Sequence, residues 1–328
     1  MTAKEAGGIP PRGQDFNGIF FAITEILRYM QAGGMPTYSA AMSTAIGGYP
    51  LGALLLKSNG LGFWRNTTAN NTSNPDSGGA GWSSDGASSC MRGLKISSSG
   101  LSPLVSISFD MISLDSTSGI DSVVVGQASL SASVATSGSN GIDTGTLAAS
   151  TWYSVWVIYN GSAVASLLSL SATTPTMPAG YTFRRRVGWI RTDSSVNKYP
   201  IAFTQYNAKV TWKLYGSAYY PLMASGTVGT ITSAAYSPVS VSVDAFIPPT
   251  AMEIILKPHA ATTGACCAVT PGAAGYGGFD DLDKPPLIAS EPDYWGGYYE
   301  MALESRAVYF ASSGTTGRLF CIGWEDTL

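Results

Sequence analysis

Apolar residues recur at spacings of three and four near the start of the chain, at Phe16, Ile19, Phe20, Ile23, Ile26, Leu27 and Met30. That period predicts a helix with one continuous apolar stripe. Asp15 stands where a carboxylate could accept from the amides of the first turn, and Gly33-Gly34 supplies the left-handed residue that closes a helix. The predicted helix therefore runs from about residue 16 to residue 32. Phe16, Ile23 and Met30 also lie seven apart, with Ile19 or Phe20 and Ile26 or Leu27 between them. Such a seam lets identical helices bundle, although two heptads alone are marginal. Packing of the stripe on the chain's own β domain is the alternative.

Beyond the helix the period shortens. Thr37 is placed to cap a second, short helix ending at Gly47, and residues 51–56 read as a strand. Ser58-Asn59-Gly60 supplies a turn and residues 62–65 the partner strand of a hairpin. Residues 67–86 are rich in Asn, Ser, Asp and Gly and read as a loop anchored by Trp82. Short apolar runs then follow at 104–114, 122–125, 129–134, 152–159, 163–170, 181–191 and 199–214, many of them alternating, with Asn160-Gly161 marking a turn. The theme repeats at 239–246, 252–256, 306–310 and 318–324. Strand after strand with no helix between them implies antiparallel pairing. The expected fold is mainly β: a short N-terminal helical region followed by antiparallel β-sandwich or jelly-roll-like modules. Its expected divisions are 1–86 (helix plus small hairpin), 87–216 (middle sandwich) and 217–328 (C-terminal β module). Within the last, residues 260–297 read as one long Gly-, Pro- and Ala-rich loop.

Of the 328 residues 45% are hydrophobic but only 12% charged, about half the usual charged share. Solubility then rests on Ser, Thr, Asn and Gly. The net charge is −3, and no basic block exists to neutralise phosphates, which argues against a nucleic-acid partner. Arg184-Arg185-Arg186 is the one cationic run, read as solvated charges on a strand edge. The N-terminal stretch lacks a secretory pattern and no segment has the length to span a bilayer, so membrane insertion is not expected.

Cys90, Cys266, Cys267 and Cys321 are too few and too irregular for a disulfide framework, and with a single histidine, His259, they lack the paired spacing of a zinc site. Free, mostly buried thiols are expected, with no metal and no cofactor. His259 has no nucleophile elbow near it and reads as a surface residue. Phosphate-loop, zincin and dinucleotide fingerprints are missing.

Several words in order carry a family resemblance: Pro10-Pro11-Arg12-Gly13-Gln14-Asp15-Phe16-Asn17-Gly18, Gln31-Ala32-Gly33-Gly34, Ala45-Ile46-Gly47-Gly48-Tyr49-Pro50, Asn70-Asn71-Thr72 and Gly79-Ala80-Gly81-Trp82. Together they resemble the N-terminal segment of tail fibre and receptor-binding proteins of tailed bacteriophages. The likeness covers the first quarter closely and the rest loosely, residues 309–328 looking like the ending of similar fibre proteins. It implies a homotrimer made in the host cytoplasm and carried on the virion tail. Its N-terminal region would dock on tail or baseplate proteins and its C-terminal module would meet a bacterial surface receptor, a polysaccharide or a protein. A purely structural tail, collar or decoration protein is the alternative.

Under that resemblance two residue groups matter. Asp280, Asp281, Asp283, Glu291, Asp293, Glu300 and Glu304 would be the acids of a polysaccharide depolymerase. The long parallel β-helix repeats of such enzymes are missing, so no catalytic residue is assigned. Asp280-Asp281-Leu282-Asp283 also lacks the full calcium-loop order. Tyr294, Trp295, Tyr298 and Tyr299 are the densest aromatic cluster and the candidate receptor contacts. A place in the module's own core or on the trimer axis is the competing expectation.

Overall fold

The computed structural model describes residues 12–60, 62–85, 90–118, 121–214, 220–232, 235–260, 265–276, 288–290 and 297–328. These residues are mainly β, with an N-terminal helical segment and antiparallel sheets in a β-sandwich-like arrangement. The chain divides into two compact units, Met1–Ala87 and Ser88–Leu328.

In the first unit α1 spans Gly13–Gln31, starting three residues earlier than expected. Arg12, not Asp15, is the N-cap. Asp15 sits one turn inside, where its Oδ2 accepts from the Arg12 N–H at 2.9 Å. A carboxylate at that position satisfies a flanking amide and still meets the positive end of the dipole, so its sequence signal is one turn out of place. Gly33 takes φ +86°, and the Gly34 N–H donates to Tyr29 O at 2.8 Å, closing the helix where expected. α2 (Ala40–Ile46) is capped by Ser39, whose Oγ accepts from the Met42 N–H. Thr37 instead bridges to Leu56.

β1 (Leu54–Leu56) and β2 (Phe63–Asn66) form the expected hairpin, and β3 (Trp82–Asp85) adds a third antiparallel strand to it. That strand lies inside the stretch read as a loop. Its Trp-Ser-Ser-Asp sequence has one apolar residue, and pairing with β2 rather than local pattern makes it a strand. Trp82 is the anchor expected of it. Its Nε1 donates to Ser73 O at 3.0 Å and its ring meets Tyr49 edge-on at 5.7 Å, over a core of Tyr49, Leu55 and Trp64.

The second unit opens with β4 (Met91–Arg92), β5 (Lys95–Ser98), β6 (Leu104–Ser116), β7 (Ser122–Ser133), β8 (Trp152–Tyr159), β9 (Val164–Ser169), β10 (Phe183–Arg191), β11 (Phe203–Tyr206) and β12 (Lys209–Trp212). It continues with β13 (Leu222–Ser225), β14 (Thr230–Thr232), β15 (Ala235–Ser237), β16 (Val239–Ser242), β17 (Ala251–His259), β18 (Cys267–Thr270), β19 (Ile288–Ser290), β20 (Tyr299–Ala302), β21 (Ala307–Ser312) and β22 (Arg318–Asp326). Among the described residues a thirteen-stranded sheet runs β20-β17-β22-β12-β11-β5-β6-β10-β8-β9, with β13 on β22 and with β4 and β7 on β6. A four-stranded sheet runs β16-β21-β18-β19, and β14 pairs with β15. Residues 153–158 of β8 are buried without a break, as a strand covered on both faces must be.

The expected separation of 87–216 from 217–328 is corrected. β12, from before that boundary, pairs antiparallel with β22, from after it, and one sheet carries both. Apolar runs mark strands but not their neighbours, so a boundary drawn at Tyr219-Tyr220-Pro221 could not register a pairing made more than a hundred residues away. The 260–297 loop is corrected in part: it contains β18, buried along its whole length, and β19. Four buried residues in a row show no alternation to betray a strand.

The arginine run is corrected as well. β10 is paired on both sides, by β8 and β6. Arg184 lies over the Trp156 ring at 5.7 Å. Arg185 donates to Ser113 Oγ at 3.0 Å, and Arg186 donates to Asp326 Oδ2 at 2.5 Å. Asp326 is buried and also accepts from Thr250 Oγ1 at 2.5 Å, while Trp189 Nε1 donates to that hydroxyl at 2.8 Å. Burial pushes the Asp326 carboxyl above its usual range, opposed by Arg186 and Thr250.

Removing one partner of such a pair leaves a buried charge, at a cost of about 3–5 kcal/mol. Arg186→Met is expected to lose about that much at neutral pH by urea unfolding. Without Arg186 the folded-state pKa of Asp326 lies above its unfolded value, so stability is lost as pH rises through that range and regained as it falls. The deficit relative to wild type should therefore shrink in mild acid; a deficit that stays constant with pH would show that Asp326 is not carrying the charge.

Candidate functional site

β20 is the outer strand of the large sheet, paired among the described residues only with β17. Beside it lies a groove of about 420 Å³, lined by residues 299–304 on one side and by Pro271 and Tyr276 on the other. The Tyr276 hydroxyl donates to Glu304 Oε1, a bond that raises the phenol's pKa. Glu300 Oε1 pairs with Lys209 Nζ, and this hydrogen bond raises the lysine's pKa. Gly272 lies beside both groups: a Cβ there would stand 2.5 Å from Glu304 Oε2 and 3.2 Å from the Tyr276 ring.

Of the four aromatic candidates, Tyr298 is 62% exposed beside this groove and Tyr299 is half-buried within its wall. Tyr294 and Trp295 lie outside the described residues, as do Asp280, Asp281, Asp283, Glu291 and Asp293. Glu300 and Glu304 come together at the groove, four residues apart on one wall. Tyr276 was missed by sequence reasoning. It sits in Gly275-Tyr276-Gly277 within a flexible-looking run, and its signal was the same glycine-flanked aromatic pattern that marks Trp295.

The second surface is α1. None of its residues is buried. Phe16, Ile19, Phe20, Ile23, Ile26, Leu27 and Met30 are each between 47% and 63% exposed, and at 100° per residue they cover an arc about 120° wide. Phe21, 70% exposed, stands apart on the polar face. Within its own unit, the described residues leave the stripe uncovered. Among the described residues no helix is long and apolar enough to cross a membrane.

Gly48-Tyr49, Asn70-Asn71 and Ala80 meet in space after α2. Tyr49 and Asn71 exchange backbone hydrogen bonds at 2.9 and 3.0 Å. Gly48 has φ +100°, and a Cβ there would lie 2.3 Å from the Asn70 carbonyl. Asn71 Nδ2 donates to Ala80 O and to Asn66 Oδ1 at 3.0 and 2.9 Å, and Asn66 Nδ2 donates in turn to Tyr49 O at 2.8 Å. These glycines and asparagines tie three separate segments into one knot.

His259 is exposed at the end of β17, a surface residue as expected. All four cysteines are free, Cys90 and Cys266 half-buried and Cys267 and Cys321 buried. Adjacent Cys266 and Cys267 face opposite ways, the former toward Ser313 at 3.4 Å. Among the described residues no three His, Cys, Asp or Glu side chains cluster as a metal site requires. No protein-family model, curated protein or solved structure matches this chain.

Thiol chemistry tests the packing of these cysteines. Burial pushes the Cys321 thiol up to about 12, leaving almost no reactive thiolate at neutral pH. Iodoacetamide should modify Cys90 and Cys266 in the native protein and reach Cys267 and Cys321 only after unfolding, as read by peptide mass spectrometry. Native labelling of Cys321 at the rate of Cys266 would contradict the packing described.

Proposed function

We propose that this chain is a homotrimeric tail fibre or receptor-binding protein of a tailed bacteriophage. Its N-terminal unit docks on a tail or baseplate protein, and its β unit meets a receptor on the bacterial surface. The observation that carries this reading is α1: a 19-residue helix whose apolar stripe is exposed and which has no buried residue. A large exposed apolar patch marks an interaction surface, and a lone helix of this length is marginal in water. Burying such a side chain is worth about 1.5–3 kcal/mol, so a bundle of α1 copies would stabilise both the helix and the assembly. The N-terminal words resembling phage fibre proteins supply the direction: that end toward the particle, the β unit away from it. The groove beside β20, lined by the half-buried Tyr276 and Tyr299, is the receptor candidate on the β unit. No catalytic role is proposed for Glu300 and Glu304, each of which is already engaged by a neighbouring side chain.

Ile23→Asp separates assembly from folding. Ile23 is 48% exposed in the single chain, so a carboxylate there costs the fold little. In a closed bundle it would bury a charge at a cost of several kcal/mol. Light scattering should show a trimer for wild type and a monomer for Ile23→Asp, with the far-UV signal of the β unit unchanged. A variant that remains trimeric would remove α1 as the association element, and a monomeric wild type would remove the trimer.

A further inference from the structure

We propose that the groove between β20 and the 271–276 turn is a saccharide subsite that takes neutral or cationic sugars and rejects anionic ones. The proposal rests on the receptor-binding reading and gives its ligand a chemical class. The volume of about 420 Å³ falls within the range of roughly 300–1,000 Å³ in which small ligands are held. Tyr276 and Tyr299 both line the groove, and a tyrosine offers the mixed apolar and polar surface that a sugar ring offers in return. Glu304 and Glu300 supply the acceptors. A carboxylate has about four acceptor positions, and the pairs with Tyr276 and Lys209 leave capacity for hydroxyl or ammonium donors.

Charge sets the selectivity. Lys209 balances Glu300, but the partner of Glu304 is a neutral phenol, so the groove has a net negative character that repels carboxylated or phosphorylated sugars. An extended peptide added to the edge of β20 is the competing occupant. That edge is four residues long and carries exposed Glu300, and short, charged edges discourage strand addition.

The test uses the full chain with four probes: a glucosamine oligomer, a glucose oligomer and a galacturonic acid oligomer of equal length, and an alternating Thr-Val peptide. Binding is followed by saturation-transfer NMR and calorimetry in mildly acidic buffer. The glucosamine oligomer should bind best, the glucose oligomer more weakly and the galacturonic acid oligomer not at all. Glu304→Gln keeps an acceptor for Tyr276 and so should keep the fold, yet weaken glucosamine binding about tenfold and narrow its lead over glucose. Tyr276→Ala should weaken both. Failure of every sugar to bind, equal binding of the galacturonic acid oligomer, displacement by the peptide, or an unchanged Glu304→Gln would each overturn the proposal. Adsorption to bacteria that is unaffected by Glu304→Gln would overturn the groove and leave the receptor reading standing. Sugar binding without adsorption to any bacterial surface would do the reverse.

Discussion

The larger unit is closed by its last strand. β22 pairs with β12, β17 and β13, and three features that define the unit's core sit on it. Trp324 packs against Trp212 at 4.9 Å and Trp152 at 5.5 Å. Asp326 receives Arg186 and Thr250. Cys321, three residues before Trp324, fills a fully buried position. These contacts span long stretches of chain, and closing such loops costs entropy before any contact repays it. Local hairpins such as β6–β7 and β8–β9 can form early. The sheet that joins them cannot be completed until the C-terminal residues arrive, the topology of a slow-folding β protein. Lacking β22, the unit would expose three strand edges, each a template for pairing with another chain.

How far the fold was legible follows from the same constraint. Where one strand makes its own pattern, as in Val105-Ser106-Ile107-Ser108-Phe109, alternation gave the strand and the buried face. Where pairing is remote, the pattern was silent. Nothing in 209–212 or 318–326 states that they are neighbours, so one sheet read as two modules. Arg184-Arg185-Arg186 looked like a solvated edge because the aspartate that meets Arg186 is 140 residues away. β18 lacked alternation because both of its faces are covered. The groove was half legible: Glu300, Glu304 and Tyr299 stood out by type and density, but Tyr276 meets Glu304 from a segment 28 residues away, a contact no local pattern announces.

The two ends of the molecule place opposite demands on the same composition. The β unit buries a large apolar core while α1 has no buried residue and leaves its whole apolar stripe in solvent. In the proposed trimer, Phe16, Phe20, Ile23 and Leu27 would be covered by copies of themselves, and the glycine stop at Gly33-Gly34 would end each helix of the bundle.

The groove admits a plainer account, in which Glu300 and Glu304 are charges that keep the outer strand β20 from pairing. It suffices for Glu300 as a strand charge, since Glu300 is exposed on β20. Glu304 lies beyond the end of β20 and accepts from the Tyr276 hydroxyl on another segment. Under the saccharide proposal, a carboxylate already held by a neighbour, by Tyr276 for Glu304 and by Lys209 for Glu300, would have lost freedom in advance, which lowers the entropic cost of meeting a ligand.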